Sequence, residues 1–151
     1  PRRIVFKHIL VPVDGSKTAL HAADTAIELA AKVNANITVV HVIHVYPYVG
    51  LGEGAVEGLD QYLSAATASA NNAIAAVRAR IEAAGVAFES RIAESNTVWR
   101  GILDAAEHAE TDLIVMGTHG RGMIDRLLLG SVTQRVLSHA SVPVMVVRGT
   151  D

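Results

Sequence analysis

Apolar positions along the chain fall into two alternating patterns. Ile4 to Val13, Ile37 to Val45, Asp112 to Gly117 and Val142 to Val147 are short, nearly unbroken apolar runs, the signature of strands buried on both faces. Between them lie longer stretches with helical spacing. Ala19, Ala23, Ala26, Ile27 and Ala30 recur within Lys17–Val33, and Leu59, Leu63, Ala66, Ala70, Ile74, Val77 and Ile81 share one stripe of Leu59–Ala84. Further helices are expected over Thr97–Ala109 and Ser131–Ser138. Val86–Ala93 alternates and predicts a half-buried edge strand.

Punctuation between the runs is consistent with this reading. Pro12 cannot donate to a sheet ladder and belongs at a strand exit. Asp14-Gly15-Ser16 makes a turn, with Ser16 as helix N-cap. Asn34 to Asn36 ends the first helix, and Gly85 follows the second as a C-cap residue. Asn96 or Thr97 caps the third. Tyr46–Gly58, with four glycines and one proline, reads as a long mobile loop. Strands alternating with helices predict an α/β fold, a mostly parallel sheet covered by helices on both faces. In such sheets ligands bind at the carboxyl ends of strands, where the strand order reverses.

The length of 151 residues fits one domain over residues 1–151. Net charge is −2, and the 13 basic residues form no concentrated patch, which argues against a nucleic-acid partner. No apolar run approaches the roughly 20 residues of a membrane-spanning helix, so no membrane association is expected. The chain has no cysteine, which removes disulfide and thiolate chemistry. Residues 1–10 lead directly into a strand without a small-residue cleavage site, and a cytoplasmic location is expected.

Candidate chemistry concentrates in Gly117-Thr118-His119-Gly120-Arg121-Gly122, followed by Gly130-Ser131. The segment leaves an apolar strand and ends at a helix start. Glycines let backbone N–H groups approach phosphate oxygens, and the helix N-terminus adds unpaired N–H groups and a positive dipole end. Arg121 and Arg126 lie between the glycine clusters and can add charge. The pattern is neither Gly-Lys-Ser/Thr nor the dinucleotide fingerprint. Turn-making alone is the plainer account of these glycines, and Ser131 with Gln134 spells a capping box, so its hydroxyl has a purely structural reading as well. Asp14, likewise, reads as a turn-starting residue before glycine. The histidines form no defensible metal site, since His41 and His44 are three apart on a strand and point to opposite faces. Trp99 reads as a packing residue.

Taken together, these segments resemble the universal stress protein family. Gly117-x-x-Gly120, nine residues, then Gly130-Ser131 is similar to its ATP-binding signature. ILVPVDGS (Ile9–Ser16), VVHV (Val39–Val42), DLIVMGTHGRG (Asp112–Gly122), LLLGSVTQRVL (Leu127–Leu137) and SVPVMVV (Ser141–Val147) match in order. The resemblance implies an open five-stranded sheet of order 3-2-1-4-5, Rossmann-like, with ATP in the crevice between the first and fourth strands. Carried over by position, Pro12, Val13 and Asp14 would line the nucleoside end. Val42 would offer backbone hydrogen bonds to adenine, and Met116 would wall the pocket. Gly117, His119, Gly120, Gly130, Ser131 and Val132 would hold ribose and phosphates, with Arg121 beside them. Asp14 would accept from ribose or help hold Mg²⁺ or Mn²⁺ carried on the phosphates. Glu94–Trp99 departs from the Gly-x-Pro turn of many relatives. The implied function is a nucleotide-dependent regulator or sensor in stress response, acting on an unidentified protein and homodimeric through Val142–Val147. A slow ATPase or phosphotransferase, and a dimeric scaffold for AMP or another adenine compound, are the alternatives.

Overall fold

The computed structural model describes residues 5–45, 53–119 and 129–149. In chain order the elements are β1 (His8–Pro12), α1 (Lys17–Val33), β2 (Asn36–His44), α2 (Glu53–Ala83), β3 (Phe88–Ser95), α3 (Val98–His108), β4 (Leu113–Gly117), α4 (Ser131–His139) and β5 (Val144–Val147). All strands run parallel in the order β3-β2-β1-β4-β5. The chain leaves β1 toward β2 on one side and returns to place β4 on the other, as the resemblance implies.

Local chemistry sets the element ends. Ser16 Oγ accepts from Ala19 N–H at 3.1 Å and starts α1. Asn34 ends it in the left-handed region, at φ 58°, where asparagine is tolerated better than most residues. At the other end of the sheet, the Asp112 carboxylate accepts from the backbone N–H groups of Lys7 (2.9 Å) and His8 (3.1 Å). That clamp ties the entry of β1 to the entry of β4. It also explains why the strand begins at His8 and not at the expected Ile4: Val5, Phe6 and Lys7 precede it, and Ile4 lies outside the described residues.

Two apolar layers sandwich the sheet. Ile9, Val11, Ile37, Val39, Leu113 and Val115 pack against α1 and α2. Leu10, Val40, Ile114 and Met116 pack against α3 and α4. β1 and β4 feed both layers because alternate side chains point to opposite faces. Each fully buried Ile, Leu or Val contributes roughly 1.5–3 kcal/mol. β3 keeps the half-buried alternation of an edge. β5, the opposite edge, starts at Val144 and not at Val142, after Pro143.

The expected loop Tyr46–Gly58 needs correction. Its second half, from Glu53, is the first turns of α2 and includes Gly54 and Gly58; Tyr46–Gly52 lies outside the described residues. A Cβ on Gly58 would meet nothing within 4 Å, so no packing demands glycine there. Extending an established helix through it costs about 1 kcal/mol against alanine, less than starting a new one. Among the described residues, no helix is long and apolar enough to cross a membrane.

Candidate functional site

Where β1 ends, the two central strands part. β1 and β4 are registered at Ile9–Leu113 and Leu10–Ile114 only. Val13 N–H still reaches Val40 O on β2 at 2.8 Å, so by alternation the neighbouring Pro12 turns its amide toward β4. The missing proline N–H therefore falls where β4 is no longer paired, which is how a central strand tolerates it. The resulting crevice opens at the carboxyl edge of the sheet, at the switch point.

Its β1 wall is built by Pro12, Val13 and Asp14. Asp14 is half-buried, and its Oδ1 accepts the Ser16 N–H at 2.9 Å, so one carboxylate oxygen serves the turn, as the plainer reading of Asp14 expects. Gly15 follows at φ 84°. On the next strand, β2 continues past the end of β1. Asn36 N–H bonds to Lys7 on the β1 side and Ile37 N–H to Ala87 on the β3 side. Val42 shares the parity of Asn36, so its N–H and C=O face the side that β1 has left. The Val42 side chain packs under α3, where a Cβ on Gly101 would come within 2.7 Å of its Cγ1.

The β4 wall is Met116, Gly117, Thr118 and His119. Met116 and Gly117 are buried. Thr118 N–H bonds Val147 O at 3.1 Å. The His119 ring lies between two hydroxyls, Nδ1 3.1 Å from Thr118 Oγ1 and Nε2 3.4 Å from Thr18 Oγ1. Gly130 N–H returns to Thr118 O at 2.7 Å, and Thr133 Oγ1 donates to Gly117 O at 2.9 Å. These two bonds bring the start of α4 against the end of β4. Gly120 and Arg121 lie outside the described residues, as do Gly122 and Arg126.

The start of α4 corrects the capping-box reading. Gly130, not Ser131, is the N-cap, and no side chain among the described residues caps the helix. Gln134 Nε2 donates to Leu129 O instead of turning back to Ser131. Ser131 is exposed and Val132 half-buried, and among the described residues the N–H groups of the first turn have no partner. Such a terminus favours an anion by its free donors and its dipole.

The structure thus brings Pro12, Val13, Asp14, Val42, Met116, Gly117, His119, Gly130, Ser131 and Val132 to one edge of the sheet. Thr18, Thr133 and Gly101 support the site and were missed by sequence reasoning. Each sits inside a helical stretch, where nothing local marks it. Trp99 does pack, half-buried, and its ring stacks on His139 with centroids 4.4 Å apart. Among the described residues no group of His, Asp or Glu side chains is arranged to hold a metal ion alone.

Comparison with known proteins gives the same architecture. The model of the universal stress protein family matches residues 6–148. Universal stress protein MJ0531 of Methanocaldococcus jannaschii is 37% identical over 95% of this chain and 83% of its own. The solved universal stress protein UspA of Lactobacillus plantarum superposes with a TM-score of 0.86 at 30% identity, covering 97% of this chain and 100% of that one. Two more distant structures share the fold. One is a universal stress protein in complex with cAMP (TM-score 0.69, 24% identity, 97% and 100% of the chains). The other, from Archaeoglobus fulgidus, is in complex with dAMP (TM-score 0.58, 22% identity, 95% and 98%). With a family match across nearly its whole length, a relative at 37% identity and the same five-stranded sheet, this chain belongs to the universal stress protein family.

Proposed function

We propose that the crevice between β1 and β4 binds an adenine nucleotide, ATP in the first place, and that occupancy switches the protein between states in a stress-regulatory role. The observation that carries this reading is the uncapped start of α4, set against the end of β4 by the Gly130–Thr118 and Thr133–Gly117 bonds. The residues fit a phosphate group. A Cβ on Gly130 would lie 3.1 Å from His119 Cα, and the N–H groups of the first turn, without a partner among the described residues, suit an anionic acceptor. Val42, whose N–H and C=O have no partner among the described residues on the side that β1 has left, would serve the adenine edge, and the second Asp14 oxygen a ribose hydroxyl or Mg²⁺ or Mn²⁺ carried on the phosphates. Binding regulates only through different affinity for two states. We further propose a homodimer through β5, an edge strand whose unpaired backbone groups favour pairing across a two-fold axis.

A second reading follows from the two relatives solved with cAMP and dAMP: the occupant here is a monophosphate. One set of measurements separates the readings. Nucleotide extracted from the denatured protein is identified by mass spectrometry, and ATP–Mg²⁺, AMP and cAMP are titrated by calorimetry. The ATP reading expects about one equivalent bound, with affinity lost tenfold or more in a folded Gly130→Ala variant. A preference for AMP or cAMP supports the monophosphate. Absence of binding by any of the three at millimolar concentration overturns the proposal.

A further inference from the structure

β3 forms the edge of the sheet farthest from β5. Ile37 N–H bonds Ala87 O at 3.0 Å and Val45 N–H bonds Ser95 O at 2.9 Å, so the odd-numbered residues of this stretch turn their backbone groups toward β2. Phe88, Ser90, Ile92 and Glu94 turn theirs outward, and among the described residues no strand pairs with them there. Such a row of donors and acceptors is a template for another strand. The side chains divide between the two faces of the sheet. Phe88 packs with the layer of α1 and α2, and by alternation Ser90 and Ile92 share that face; Ile92 is 39% exposed. Glu89 and Arg91 lie on the opposite face, both exposed at the side chain, and pair with each other at 3.4 Å.

Charge complementarity selects the strand that fits this edge. Two copies of β3 running antiparallel about a two-fold axis at Ser90 set Phe88 against Ile92, Glu89 against Arg91 and Ser90 against itself. The outward backbone groups of one copy then meet those of the other, as an antiparallel ladder requires. The four side chains of the two Glu89–Arg91 pairs alternate in sign across the axis, and opposite charges facing each other on neighbouring strands favour pairing. Moving the axis to Glu89 or to Arg91 faces like charges directly, which is destabilising. An axis at Ile92 leaves Glu89 and Arg91 opposite the uncharged Ser95 and Ala93. An axis between two residues sets outward groups of one copy against inward groups of the other. Arg78, whose guanidinium lies over the Phe88 ring and donates to Ser90 Oγ at 3.4 Å, is on the α2 side and nears its own copy across the axis. That single like-charge approach is at an exposed surface, where screening weakens it.

We propose that β3 pairs antiparallel with β3 of a second copy of this chain, about a two-fold axis at Ser90, joining two sheets edge to edge. The contact needs neither the crevice nor the β5 edge. Where both edges pair, copies link in an open row of sheets, because the two axes lie at opposite edges and do not close a ring. The chain has no cysteine, so a single introduced thiol reads the register. In the full chain, Ser90→Cys brings two thiols together at paired residues whose Cα atoms are about 5.5 Å apart, and a short bis-maleimide is expected to yield a covalent dimer. Glu94→Cys, on the same edge, places its two copies about 27 Å apart at the rise of an extended strand and is expected to yield at least tenfold less. Adding Arg91→Glu to Ser90→Cys sets Glu against Glu89 and lowers the yield at least tenfold, while circular dichroism stays unchanged. Exchanging both charges, Glu89→Arg with Arg91→Glu, restores it. Adding Met145→Lys on β5 leaves the yield unchanged, which separates this contact from the dimer proposed above. The proposal is overturned if Ser90→Cys yields no more dimer than Glu94→Cys, if Arg91→Glu has no effect, if the charge exchange fails to restore the yield in a folded protein, or if Met145→Lys abolishes it.

Discussion

A methyl group on Gly117 would lie 2.6 Å from Thr18 Cγ2 and 3.2 Å from the Thr18 backbone, so the last residue of β4 is glycine because α1 crosses directly over it. Overpacking of this kind costs about 1–3 kcal/mol. Gly117→Ala is therefore expected to lower stability by about that amount. Adding Thr18→Ser removes the nearest methyl and recovers part of it, a coupling that urea denaturation of the two singles and the double reads directly. The Asp14-Gly15-Ser16 turn was legible in the sequence because its residue types are tied to turns. Thr18, Thr133 and Gly101 were not. Their roles depend on which helix crosses which strand, and a helical stretch looks the same whether a threonine faces solvent or holds the Gly117 carbonyl.

Among the elements, α4 offers the sharpest separation between folding and binding. Its first turn lacks an acidic residue and a side-chain cap. Ser131→Asp places a negative charge at the positive helix end, stabilising the fold by about 0.3–1 kcal/mol. The same charge repels a bound phosphate, so nucleotide affinity is expected to fall tenfold or more. A thermal melt without ligand and a calorimetric titration with ATP–Mg²⁺ should move in opposite directions. If affinity stays at the wild-type value, α4 does not face phosphate. Elements were legible wherever a run was long or buried on both faces. The start of α2 was not, because Gly54 and Gly58 carry a turn signal that helix continuation overrides. The entry of β1 was also misread, since the Asp112 clamp that sets it arrives from far along the chain.

For the whole molecule, strand–helix alternation predicted a mostly parallel sheet and the resemblance implied its order, which places β5 at an edge. Met145 on that edge is 37% exposed. Met145→Lys is expected to weaken the proposed dimer at least tenfold, a shift toward monomer that sedimentation velocity measures; an unchanged dimer would put the interface elsewhere. The sheet's central joint is also its sparsest. β1 and β4 share two registered pairs, whereas β2 and β3 share eight. Asp112 pins the joint at the amino edge, and α1 braces one face through the Thr18–Gly117 contact. Beyond Leu10 and Ile114 the two strands share no registered pair. Mechanically this is a seam stitched at one end, so loss of the Asp112 carboxylate would loosen the strands where they enter the sheet, far from the proposed nucleotide crevice.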